Sequence, residues 1–198
     1  MCVEIFTVKK RSLGVLFLVF SISFAALACM ISRVEAVPCA TPLSSYKDVP
    51  ARSNEDYPYG SCDGPSVYGL KYQCVEYVRR FYHLVKGIET RGGMPGRGWD
   101  GNANTYFKSA GEMGLEAMEN GGPTPPLPDD IISFTGGAHG HVAIITAVTN
   151  NHIEFIEQNF SLSGRGRVAY NPLTHHVAGR HVQGATLSVE GWLRPQVH

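Results

Sequence analysis

Two hydrophobic regimes divide the chain after Gly69. In "GLKYQCVEYVRRFYHLVKG" the residues Cys74, Val78, Phe81, Tyr82 and Val85 recur at helical spacing and share one face. A helix is therefore expected from near Gln73 to about His83 or Lys86, with Gly87 as its stop. The glycine-rich "RGGMPGRGWDGNANTYF" leads into a second helix expected over roughly 102–111, with Asn102 or Asn104 as its cap. "ENGGPTPPLPDD" has too much proline for a helix or a central strand. Beyond it the pattern turns to strands: "DIISF", "HVAIITAV" (His141 to Val148) and "HIEFIEQN" (His152 to Asn159). Asn150-Asn151 supplies the tight turn of a hairpin between the last two. "GRVAYN" and "ATLSVEGWLR" add further strands. Helices followed by strands predict an α+β domain, with helices packed on one antiparallel sheet and no internal repeat.

The N-terminus has a different character. Lys9, Lys10 and Arg11 precede an almost uncharged apolar run from Ser12 to Ala28, and Val34-Glu35-Ala36 offers a small-residue cleavage site. Residues 1–36 read as a signal peptide, 37–68 as a loop-rich extension and 69–198 as the main domain. A membrane anchor is a competing reading of the same run, since it approaches the length of a short span. A lipidated Cys29 in "AALAC" is another. The Pro-, Ser- and Tyr-rich stretch that follows favours cleavage. Export, with the membrane touched only through the signal segment, is the expected fate.

The 198 residues suit one ordinary domain, and 43% hydrophobic content is enough for a core despite 22 glycines and 12 prolines. Once the signal is removed the chain is slightly acidic and has no basic run. That excludes a nucleic-acid binder, whose affinity depends on neutralising many phosphates. Of the five cysteines, Cys2 and Cys29 fall in the signal region, leaving Cys39, Cys62 and Cys74. Three sites in an oxidising compartment cannot all pair. Cys39 and Cys62 lie among turn residues, where a staple helps. Cys74 stands at the first turn of a helix, where unpaired N–H groups and the helix dipole favour a thiolate.

A thiol nucleophile needs a base within reach and a group behind that base. Of the eight histidines, His141 is best placed, opening a strand directly after the turn "TGGAHG". Glu157 and Asn159 alternate with Gln158 and so share a strand face. The hairpin brings the end of that strand near the start of the other, so Glu157 or Asn159 can hold the imidazole in one tautomer. Asn159-Phe160-Ser161 also has the form of an N-glycosylation acceptor. His139 with His141, and His175 with His176, raise a metal site, but no further ligand spacing completes it.

"KYQCVEYVRRF", "GHVAIIT", "FIEQN" and "GWLR" together resemble the CHAP family, the cysteine- and histidine-dependent amidohydrolases and peptidases. The likeness is strong to the amidase domain of bacterial glutathionylspermidine synthetase/amidase. It runs from about Gly69 to Pro195, and the motifs stand in the family's order. The resemblance implies Cys74 as nucleophile, His141 as base, Glu157 as the acidic third member and Asn159 as a polar assistant. It implies a papain-like fold, with the nucleophile at a helix N-terminus packed against an antiparallel sheet that carries the histidine. Asp129 departs from the pattern, because many relatives have Gly before the "DIISF" strand. The tail "NPLTHHVAGRHVQG" matches no element of it.

With Cys74 required as a free thiolate, Cys39 and Cys62 are expected to pair if the protein is oxidised. Trp99 and Tyr106 are candidates for the wall of a substrate groove. The chemistry needs no metal or organic cofactor, and a monomer is expected. Substrates consistent with this reading are peptidoglycan peptides or a small amide such as glutathionylspermidine. A secreted, non-catalytic interaction module is the reading from a different class; its signature would be a missing triad member.

Overall fold

The computed structural model describes residues 36–91, 98–182 and 184–196. Residues 1–35, with Cys2 and Cys29, and the centre of the glycine-rich loop lie outside the described residues. Among the described residues no helix is long and apolar enough to cross a membrane.

A hairpin opens the described chain, β1 (Pro42–Tyr46) pairing with β2 (Val49–Arg52). A two-residue ladder follows, β3 (Pro65–Ser66) with β4 (Gly69–Leu70). Helix α1 then runs Cys74–Lys86 and is ended by Gly87 in the left-handed conformation, φ 67°. Its N–H reaches back to the carbonyl of Tyr82, as the periodicity and the glycine together predict. The second helix is shorter than expected: α2 covers only Ala103–Tyr106, and a 3-10 turn follows at Ala110–Met113. Gly111 and Gly114 in "SAGEMG" deprive a longer helix of propensity.

The remaining strands are β5 (Leu115–Glu119), β6 (Ile131–Thr135), β7 (His141–Val148), β8 (His152–Ile156), β9 (Arg165–Asn171), β10 (His176–Val177), β11 (Arg180–Val182) and β12 (Ala185–Pro195). Their order is β10-β9-β8-β7-β6-β12-β11, with β5 also paired to β12 and each pairing antiparallel. Among the described residues the fold is thus mostly a curled antiparallel sheet with α1 as the one substantial helix, where the sequence predicted helices in the plural. The curl is drawn together by one short stretch of chain. β10 forms one end of the strand order and β11 the other, yet only Ala178 and Gly179 separate them. The strap 176–182 therefore pairs with β9 on one side and β12 on the other. Asn120 clips it, bonding both backbone groups of Val177.

Each face of the sheet has its own core. Tyr77, Val78, Phe81 and Tyr82 of α1 bury against Val142, Ile144, Ile156 and Leu193, joined by Val49 and Ala51 of β2. The other face collects Ile132, Phe134, Ala143, Ile145, Ile153, Phe155, Val168, Leu187 and Trp192 inside the curl. A strand buried on both faces reads as a continuous apolar run, which accounts for "VAII" at the start of β7.

Cys39 and Cys62 are disulfide-bonded, with Cα atoms 6.0 Å apart. Asp129 sits at φ 78°, a backbone region that favours glycine. It is nonetheless held by Lys47 and Lys86, each 2.6 Å from its carboxylate, and by the Tyr46 hydroxyl at 3.0 Å. The departure from Gly at this position thus links the β1–β2 hairpin to the end of α1.

Candidate active site

Cys74 is the first residue of α1 and a free, half-buried cysteine. The chain enters it through a constrained turn. Tyr72 has φ 67°, unusual for a bulky residue, and its hydroxyl donates to Asp63 at 3.0 Å. Gln73, the residue before the helix, donates its amide to the Gly60 carbonyl at 2.5 Å. The side-chain oxygen Oε1 of Gln73 accepts from the Asn159 amide at 3.0 Å. The helix start is thereby tied to the disulfide-stapled extension.

His141 is the first residue of β7, after Gly140 at φ 65°. A Cβ on Gly140 would lie 2.7 Å from the Phe134 carbonyl and 2.9 Å from Asn104, so the tight turn requires glycine. Phe160 stacks on the imidazole at 4.3 Å between ring centres. Glu157 follows the end of β8, and its Oε2 lies 2.9 Å from His141 Nε2. The Cys74 thiol faces the same imidazole closely enough for each to shift the other's ionisation. With Nε2 occupied by Glu157, Nδ1 is the nitrogen left for sulfur.

Electrostatics follow from this chain of contacts. Burial opposes a Cys74 thiolate, but the His141 hydrogen bond and charge, with the N–H groups of Val142 and Val75, together hold the thiol below its usual range. Burial likewise opposes an imidazolium at His141. Its bonds to Cys74 and Glu157 outweigh that and raise it to about 9. Burial would raise the Glu157 carboxyl, yet His141 and Arg180 hold it low. A thiolate, an imidazolium and a carboxylate in line can perform nucleophilic acyl transfer.

The structure brings Cys74, His141 and Glu157 together and sends other expected site residues elsewhere. Asn159, at φ 57°, donates its amide to the carbonyls of Tyr57 and Pro58 and to Gln73, so it braces the extension rather than the imidazole. Trp99 and Tyr106 are not a groove wall. They are 2% and 0% exposed and pack edge to face in the core, because large aromatic rings gain most from full burial. His139 meets Tyr59 edge-on instead of joining a ligand set. Among the described residues no cluster of three metal-ligating groups occurs.

Arg180 was not singled out by the sequence. Its Nη1 lies 2.7 Å from Glu157 Oε2 and its Nη2 3.2 Å from Oε1. A buried carboxylate calls for a cation, but Arg165, Arg167, Arg180 and Arg194 all follow it in the chain, and only the strap's path selects among them. Gln158 is likewise placed by tertiary structure. It is fully buried, donates to Glu76 at 2.8 Å and to the Gln73 carbonyl at 3.1 Å, and so fastens the end of β8 to the start of α1.

A half-buried thiol at a helix start, a strand-borne histidine and a buried carboxylate behind it make up a set of groups with which acyl transfer is chemically compatible. Residues 65–159 match the CHAP-domain family model. The chain is 30% identical over 118 residues to the bifunctional glutathionylspermidine synthetase/amidase of Escherichia coli (strain K12), covering 56% of this chain and 19% of that protein. To the trypanothione synthetase of Crithidia fasciculata it is 32% identical over 127 residues, covering 57% of this chain and 18% of the relative. The matched stretch spans about a fifth of the length of these relatives. The family supports a hydrolase that acts on amide bonds.

Proposed function

We propose that this chain is an exported cysteine amidohydrolase or endopeptidase that opens amide bonds of peptidoglycan through Cys74, His141 and Glu157. The observation that carries the reading is the His141 ring held between the Cys74 thiol and the Glu157 carboxylate.

The Cys74 thiolate attacks the amide carbonyl, forming a C–S bond, and the oxyanion is met by N–H groups at the start of α1. His141, protonated, gives its proton to the leaving amine as the C–N bond breaks. A thioester remains. Neutral His141 then takes a proton from water, whose oxygen attacks the thioester, and the C–S bond breaks to return the thiolate. Glu157 keeps the ring oriented and its positive form stable throughout.

Peptidoglycan is favoured by the signal-like N-terminus, since an exported bacterial amidase meets stem peptides and cross-bridges, not cytoplasmic amides. A second reading has its own support: a relative at 30% identity is named a glutathionylspermidine synthetase/amidase, which favours a small polyamine amide. Purified chain is incubated in parallel with cell-wall sacculi and with glutathionylspermidine, and amine release is measured against a Cys74→Ala control. Release from sacculi alone is the expected result. Release from glutathionylspermidine alone would replace it with the second reading, and release from neither would refute both.

A further inference from the structure

The geometry points to Arg180 as a positioning residue: its guanidinium fork holds Glu157, and through Glu157 the His141 ring, in the orientation that faces Cys74. This rests on the reading of Cys74 as nucleophile and His141 as base, and adds to it a residue outside the stretch, 65–159, that matches the family.

Three independent features converge on Arg180. The first is the bidentate contact itself, made to a carboxylate with no exposed surface. The second is the setting of the guanidinium, which lies over the rings of Phe155 at 5.2 Å and Phe160 at 4.8 Å. Phe160 is also the ring stacked on His141, so one aromatic side chain touches both the base and the cation behind its partner. The third is the space left for it. A Cβ at Gly166 would lie 2.8 Å from Arg180 Nη1 and would collide with the Phe155 ring, so glycine at this point of β9 keeps the passage open.

Topology explains why the cation comes from here. β8 and β11 are far apart in the strand order, and Arg180 reaches Glu157 because the strap 176–182 draws the two edges of the sheet together. The titratable and charged groups that meet at the site are Cys74 from α1, His141 from β7, Glu157 after β8 and Arg180 from β11. Arg165, next to Gly166 on β9, is turned to Ser44 and Ser45 of β1.

The test compares full-length wild type, Arg180→Met and Arg180→Lys. Alkylation of Cys74 by iodoacetamide is followed against pH on the Cys74 peptide by mass spectrometry, together with kcat and KM on a hydrolysed amide. Arg180→Met is expected to lower kcat on the order of 10²-fold with KM within about twofold, as misplacement of a catalytic group does. It is also expected to move the onset of Cys74 reactivity up by about one pH unit, because a buried carboxylate without its cation takes up a proton and ceases to support the imidazolium. Arg180→Lys restores the charge but not the fork, so the alkylation profile should return to within about half a unit while kcat stays about tenfold low. If Arg180→Met fails to fold by circular dichroism, Arg180→Lys decides, and wild-type kcat in that variant would overturn the proposal. In folded Arg180→Met, an unmoved or downward-moved profile would overturn it as well, whatever happens to kcat. Alkylation needs no substrate. A shifted profile in a protein whose wild type hydrolyses no amide would keep the role of Arg180 and sink the hydrolase reading.

Discussion

His141 and Glu157 meet at 2.9 Å with side chains 2% and 0% exposed, on the same face of a hairpin whose strands are out of simple register. Val148 pairs with Ile153 and Ala147 with Glu154, but Ile145 pairs with Phe155, so Thr146 is an extra residue in β7. That bulge sets which face His141 shares with β8. With it, His141, Ala143 and Ile145 lie on the face of Ile153, Phe155 and Glu157; a regular ladder would put Glu157 on the opposite side.

The assignment of roles predicts unequal losses. Cys74→Ala and His141→Ala should each lower kcat by at least about 10³-fold, since members of such a set act as a unit. Glu157→Gln keeps a hydrogen-bond acceptor beside Nε2 and should retain measurable turnover. Melting curves of all three should confirm that they fold. Wild-type turnover in Cys74→Ala would end the mechanism.

The pH profile of kcat/KM should have its alkaline limb near 9, where His141 gives up its proton. The acid limb should lie below the ordinary thiol range, where the thiolate and imidazolium form as a coupled pair. The sign for stability follows from the same shift. His141 is raised from 6.5 to about 9, so its contribution is full below about pH 6.5 and is lost as pH rises through about 9. An alkaline limb at or below about pH 7 would contradict the raised imidazole.

Reduction should loosen the extension. The Cys39–Cys62 bridge closes a separation of 23 residues, and Cys39→Ser with Cys62→Ser should cost about 3 kcal/mol in urea unfolding. Thiol titration of oxidised protein should leave Cys74 unpaired. A midpoint that does not move on reduction would count against the staple.

Asn159 should behave as a brace. Asn159→Gly preserves the left-handed backbone at φ 57° and removes only the amide. It should cost about 1–3 kcal/mol of stability and leave the pH profile in place. A displaced alkaline limb would return Asn159 to the imidazole. A glycan on Asn159 in folded protein would be incompatible with its three contacts to Tyr57, Pro58 and Gln73.

Much of the site was legible in the chain because it depends on local periodicity. The helical repeat through Cys74, Phe81 and Val85, and Gly87 after Lys86, determine where α1 begins and ends. Alternation and the Asn150-Asn151 turn determine the β7–β8 hairpin, and the turn before His141 puts that residue at a strand start. Motif order then pairs a thiol with an imidazole, a resemblance the family match supports. The β5 strand "LEAME" carries no strand signal in the sequence because its residues favour helix, and only pairing with β12 extends it.

What the local pattern of the strands left to tertiary structure is which residues stand behind the imidazole. By strand alternation alone Glu157 and Asn159 are equivalent, since both flank Gln158. The left-handed turn at Asn159 breaks the alternation and sends its amide to the extension, while Glu157 stays inside the curl. Trp99 and Tyr106 went to the core because burial of large rings depends on what packs over them, which no local pattern states. Arg180 reaches Glu157 across 23 positions of chain because a strap pairs with both edges of a curled sheet. Long-range pairing of that kind is set by sheet curvature and closure, and a periodicity of two or 3.6 residues carries no trace of it.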